Sequence, residues 1–99
     1  MKANFQDLIN SEKPILVDFH ATWCQPCKVQ SPILEQLSTE MGDKIRILKI
    51  DVDKNPQIAQ MHQVQGVPTL AIFKNGKMLW RNSGVHNLNQ LKNVLTPFL

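Results

Sequence analysis

Two short apolar runs, at residues 15–19 and 45–52, flank a long stretch in which Val29, Ile33, Leu34, Leu37 and Met41 recur at helical spacing. A strand, a helix and a second strand in that order make a βαβ unit, expected to be parallel and right-handed. That expectation alone narrows the chain to an α/β class. Ile15-Leu16-Val17-Asp18-Phe19 is almost uninterrupted in its apolar character and 45–52 is rich in β-branched residues, so both read as buried strands. Gly42 supplies a stop for the helix between them, and Pro32 is expected to kink it.

The rest of the chain adds to this unit. Asn4 is suited to cap a short helix carrying Phe5, Leu8 and Ile9 on one face, ended by the segment leading to Pro14. Asn55-Pro56 reads as the cap and first turn of a helix reaching about His62. Residues 69–73 and 77–81 are strand-like and flank Asn75-Gly76, the dipeptide of a tight hairpin, because both residues tolerate positive φ. Leu88, Leu91, Val94 and Leu95 form a closing amphipathic helix opened near Asn87 and stopped by Pro97. A mixed sheet with helices on both faces, folded as one domain over residues 1–99, is the expected architecture.

Eleven Lys and Arg against eight Asp and Glu leave a charge of +3. A nucleic-acid binder would gather such an excess into a stripe. Here Lys44, Arg46 and Lys49, and then Lys74, Lys77 and Arg81, are dispersed over strands and turns and read as solvated surface, so no nucleic-acid partner is expected. No apolar run approaches the length of a membrane span, and the first residues lack the apolar stretch of a signal peptide. Two cysteines without such a signal suggest a reducing compartment, the cytoplasm, where a close pair is more often catalytic or metal-binding than a staple.

Cys24 and Cys27 follow the first strand and begin the long helix. Free backbone N–H groups and the helix dipole favour an anion at that position, so Cys24 is the expected thiolate and attacker. Moving a thiol pKa from about 8.5 towards neutrality raises its thiolate share without removing its nucleophilicity. Three positions on, Cys27 lies over the same helical face, close enough to form a disulfide after a small adjustment. Pro26 restricts the loop between them without the loss of a needed N–H. Zinc would need four ligands, and His20, His62 and His86 lack the paired spacing to supply two. A structural staple would close too short a loop to remove much entropy from the unfolded chain. Dithiol exchange is the favoured chemistry.

Over almost its whole length the chain resembles the thioredoxin family. The resemblance is carried by Val17-Asp18-Phe19, Trp23-Cys24 with Pro26-Cys27-Lys28, Pro32-Ile33-Leu34, Asp53 with Asn55-Pro56, Gly66-Val67-Pro68-Thr69, Phe73-Lys74-Asn75-Gly76 and Gly84. It implies that Cys24 attacks a substrate disulfide and that Cys27 resolves the mixed disulfide. It implies a buried Asp18 beneath Cys27 that assists proton transfer, with Lys49 as a neighbouring charge. This would explain the lone charge in the first strand, since an isolated buried carboxylate is costly. The resemblance further implies a cis bond before Pro68, strand-like pairing of substrate with the backbone of Val67, and a shallow docking surface formed with Trp23, Gln25, Pro26, Gly66 and Gly84. No bound cofactor is implied. Electrons would come from NADPH through a thioredoxin reductase, the substrates would be disulfide-containing proteins, and the chain would act as a monomer.

Three features depart from the family pattern. Gln25 stands where Gly is usual, adding a side chain to the contact surface and stiffening the loop. His20 stands where Trp is common, which puts a titratable ring near the site, with packing as its first expected role. Few residues precede the first helix, so a four-stranded sheet without the usual N-terminal strand is expected. The leading functional expectation is a protein-disulfide reductase. A more oxidising exchange protein and a binding or chaperone module with incidental redox chemistry are the alternatives.

Overall fold

The structure, a computed structural model, describes residues 4–99. Helix α1 (Phe5–Ile9) is capped by Asn4, whose Oδ1 accepts the Asp7 N–H at 2.8 Å. Strand β1 (Ile15–His20) leads into helix α2 (Gln25–Met41), which runs unbroken through Pro32 and ends at Gly42 with φ +57°, a conformation glycine adopts without strain. A 3₁₀ turn precedes strand β2 (Arg46–Asp51), and helix α3 (Pro56–Met61) follows. The hairpin is β3 (Thr69–Lys74) and β4 (Lys77–Ser83), with Asn75 and Gly76 both at positive φ. Helix α4 (Leu88–Leu95) closes the fold behind a reciprocal cap between Asn87 and Gln90.

The sheet has four strands among the described residues, in the order β2-β1-β3-β4. β1 and β2 are parallel, and the other neighbours are antiparallel. The expected mixed sheet, with the two strands of the βαβ unit parallel, is therefore observed in its strand directions. The expected lack of a strand before the first helix falls on residues 1–3, outside the described residues.

Alternation along β1 divides the core. Ile15, Val17 and Phe19 join Phe5, Ile9, Ile50, Ala71 and Phe73 on the face covered by α1 and α3. Leu16 meets Leu34, Leu37, Leu70, Ile72, Leu91 and Leu95 on the face covered by α2 and α4. An ion pair from Lys92 to Glu40 joins α4 to α2 at the surface.

Several sequence expectations need correction. β2 is an edge strand, and only Ile50 of its residues is buried, because its outer side has no described neighbour. Leu8 and Val29 are exposed, although both fit the apolar periodicity of their helices. Asn55 sits at the start of α3 without capping it, since its Nδ2 donates to the Asp51 carbonyl at 3.0 Å instead. Val29 is 56% exposed and Leu34 of the same helix 1%. Leu34→Ala is therefore expected to cost about 2–5 kcal/mol in urea unfolding and Val29→Ala no more than about 0.5 kcal/mol, an equal cost at both positions contradicting this packing.

Candidate active site

The site forms where β1 ends and α2 begins. β1 is buried along most of its length and held on both sides, so its C-terminal end is a rigid origin for the Ala21-Thr22-Trp23 turn. Cys24 takes the N-cap position in extended conformation, and Pro26 occupies the first turn. The Cys27 N–H donates to Cys24 Sγ at 3.1 Å, so the cysteine sulfur does what a Ser or Asp oxygen does at an ordinary cap. Cys24 and Cys27 form a disulfide with 5.3 Å between their Cα atoms.

Opposite the cysteines lies the turn before β3. The peptide bond between Val67 and Pro68 is cis, and Cys24 Sγ is 3.5 Å from the Val67 carbonyl oxygen. The Thr69 hydroxyl donates to the Gly66 carbonyl at 2.6 Å, and the Gly84 N–H donates to the Pro68 carbonyl at 2.9 Å. Gly84 has φ +89°, which suits its place in the bend after β4. These bonds bring Gly66, Val67, Pro68 and Gly84 together beside Cys24. Trp23 stands out from the surface, 67% exposed, which excludes core filling. Its indole N–H donates to Asp53 Oδ2 at 2.7 Å, fixing the ring. Gln25 and Pro26 are exposed between the cysteines.

Asp18 is 2% exposed, and its Oδ1 has no hydrogen-bond partner. It shares a cavity of about 250 Å³ with Cys27, His20, Lys28, Ser31 and Lys49. Burial pushes the Asp18 carboxyl up from the usual 3.8, opposed by the positive charges of His20 and then Lys49. Lys49 is the register partner of Asp18 on β2, yet its Nζ donates to Ser31 Oγ at 2.8 Å. A larger groove of about 470 Å³ lies between α1 and α3 across the sheet and contains none of these groups.

Sequence reasoning overlooked three contributors. Ser31, which holds Lys49, gave no signal. Asp53, which orients Trp23, was noted without a role. Gln30 is fully buried, with its amide bonded to both the N–H and the carbonyl of His86 at 2.8 and 3.0 Å, which ties α2 to the segment after Gly84. A Gln on the helical stripe that continues into Leu34 and Leu37 was the available clue. The three histidines diverge: His20 ends β1, His62 packs among Phe5, Phe19 and Phe73, and His86 lies edge-on to Trp80. Among the described residues no three His, Cys, Asp or Glu side chains gather where they could hold a metal ion.

The family model described as thioredoxin matches residues 1–97. A thioredoxin-like protein of Synechocystis is 46% identical over 98 residues, covering 98% of this chain and 93% of that one. The chloroplastic thioredoxin Y of rice is 49% identical over 90 residues, covering 90% of this chain, which spans about half (54%) of the rice protein. Among solved structures, that of chloroplastic thioredoxin z matches with a TM-score of 0.80 at 34% identity, covering 88% of this chain and 79% of that one.

The unpartnered Asp18 has a direct consequence for stability. Its carboxyl pKa is higher in the folded than in the unfolded chain, so between 3.8 and that raised value the native state retains a proton that the unfolded state has lost. Stability is complete below 3.8 and declines as pH rises through that interval. Asp18→Asn is expected to be more stable than the parent by about 1–3 kcal/mol near pH 8, with the difference closing near pH 3.5. Urea titrations at both pH values provide the check, and a difference independent of pH would contradict the assignment.

Proposed function

The chain belongs to the thioredoxin family of dithiol-disulfide oxidoreductases, and from that premise we propose that it works in the reducing direction on protein disulfides, with Cys24 as nucleophile and Cys27 as resolving thiol. The observation that carries the choice of Cys24 as nucleophile is the Cys27 N–H donating to Cys24 Sγ at the start of a seventeen-residue helix. A backbone donor and the positive end of the helix dipole both stabilise negative charge on that sulfur, so Cys24 reaches the thiolate form more readily than an ordinary cysteine.

In the proposed cycle the Cys24 thiolate attacks a substrate disulfide, and one substrate sulfur leaves and takes up a proton. The Cys27 thiol gives its proton to the Asp18 carboxylate, and its sulfur attacks Cys24 Sγ. The second substrate sulfur leaves as the Cys24–Cys27 bond forms, so two electrons pass to the substrate and the chain is left oxidised. Lys49, held by Ser31 at the same cavity, supports the ionised form of Asp18. The Val67 backbone pairs with an extended substrate segment beside Pro68, while Trp23, Gln25, Pro26, Gly66 and Gly84 form the docking surface. NADPH, acting through a thioredoxin reductase, restores the dithiol. The chain is taken to act as a monomer, and the reducing setting of the cytoplasm suits a close cysteine pair used for exchange.

Reduction of a model protein disulfide, driven by a dithiol or by NADPH and reductase, is expected to be lost in Cys24→Ser. Cys27→Ser should accumulate mixed disulfides visible on non-reducing gels. Turnover surviving in Cys24→Ser would overturn the assignment. An equilibrium titration against glutathione tests direction: a reductase lies on the disulfide side, and the opposite position would make the chain an oxidant.

A further inference from the structure

Asp18 and His20 are two residues apart on β1, so their side chains leave the same face of the sheet as Leu16, towards α2. Both line the cavity that Cys27 closes from the α2 side. The charged groups facing His20 come from three elements: Asp18 on its own strand, Lys49 and the His20 register partner Asp51 on β2, and Lys28 on α2. Most of these are committed or exposed. The Lys49 ammonium donates to Ser31, the Asp51 carboxylate accepts the N–H groups of Asp53 and Lys54 at 2.9 and 3.3 Å, and Lys28 is exposed. Asp18 Oδ1 is buried and without a partner. His20 is half-buried, reaching both the cavity and solvent, and an imidazole can both accept and donate a proton.

We propose that His20 is a positioning residue for the resolving step: its neutral imidazole carries the Asp18 proton out to solvent, and the imidazolium holds the carboxylate ionised to receive the Cys27 proton. The proposal rests on the dithiol mechanism given above and acts through Asp18, without contact between His20 and the substrate. Protons balance. Asp18 gives its proton to the imidazole, Cys27 gives its own to the carboxylate that the imidazolium holds ionised, and the imidazolium then releases its proton to water. The electron pair left on the Cys27 sulfur forms the bond to Cys24, and the pair of the broken mixed disulfide leaves on the substrate sulfur, which water protonates. Burial is the main influence on the Asp18 carboxyl, and of the two cations that oppose it His20 comes before Lys49.

The test follows single turnovers of the reduced protein by tryptophan fluorescence, at saturating concentrations of a model disulfide, where the first-order resolving step is isolated. Rates are measured from pH 5.5 to 9 for the parent, His20→Phe and His20→Gln, and for each of these in an Asp18→Asn background. The His20 variants should shift the rising limb to higher pH, making them about tenfold slower on that limb and equal to the parent above it. In the Asp18→Asn background the same substitutions should change the rate by less than about twofold. Superimposable profiles, a loss independent of pH, or the same loss without Asp18 would each overturn the role of His20. The Gln variant, checked by circular dichroism, decides the matter if Phe disturbs folding. Failure of the dithiol mechanism has a different signature, since parent turnover would then be absent or would survive Cys24→Ser.

Discussion

β1 is held on one side by a parallel strand and on the other by an antiparallel one, and it is covered above and below by helices. A strand so placed has no outlet to water until its last residue, and alternation assigns every side chain to one of two cores. Ile15, Val17 and Phe19 satisfy one core and Leu16 the other. Asp18 is the exception to this apolar demand. Its burial lifts the carboxyl towards its neutral form. A chain built only for stability would place a hydrophobic residue there, so the carboxyl marks a position where packing alone does not account for the residue, as the proposed proton transfer would.

The same strand determines where the sulfurs sit. Its end is rigid and α2 begins a few residues later, so Cys24 meets the free N–H groups of the first turn in a fixed orientation. Facing it, the Val67-Pro68 turn is held by hydrogen bonds from Thr69 to Gly66 and from Gly84 to Pro68. Gln30 then secures the segment after Gly84 to α2. Arg81 of β4 donates to the carbonyls of His62 and Gln63, steadying the stretch that leads to Val67. The surface proposed for docking is therefore a set of backbone segments tied by side chains from several elements.

Much of this was legible in the residues themselves. Periodicity located the helices and strands because burying one face leaves a repeat of 3.6 or 2 in the sequence. Asn75-Gly76 announced its turn through positive φ, and Asn4 and Asn87 announced their caps. Periodicity misplaced Val29, Leu8 and the burial of β2, because it records which face is apolar and not whether a neighbour arrives to cover it. Asn55 failed as a cap for a related reason: a nearer carbonyl, that of Asp51, claimed its amide.

By itself the sequence determined the class of fold, the cysteine pair at a helix start and the presence of one carboxylate in an otherwise apolar strand, since each depends on residues close together in the chain. Tertiary structure decided what those groups face. Strand order brought Lys49 alongside Asp18, helix packing brought Ser31 to Lys49 and Gln30 to His86, and a turn more than forty residues away put the Val67 carbonyl beside Cys24. The cavity shared by Asp18, His20 and Cys27 arises because two strand positions on one face meet the first turn of a helix packed on that face, and only the folded chain joins them.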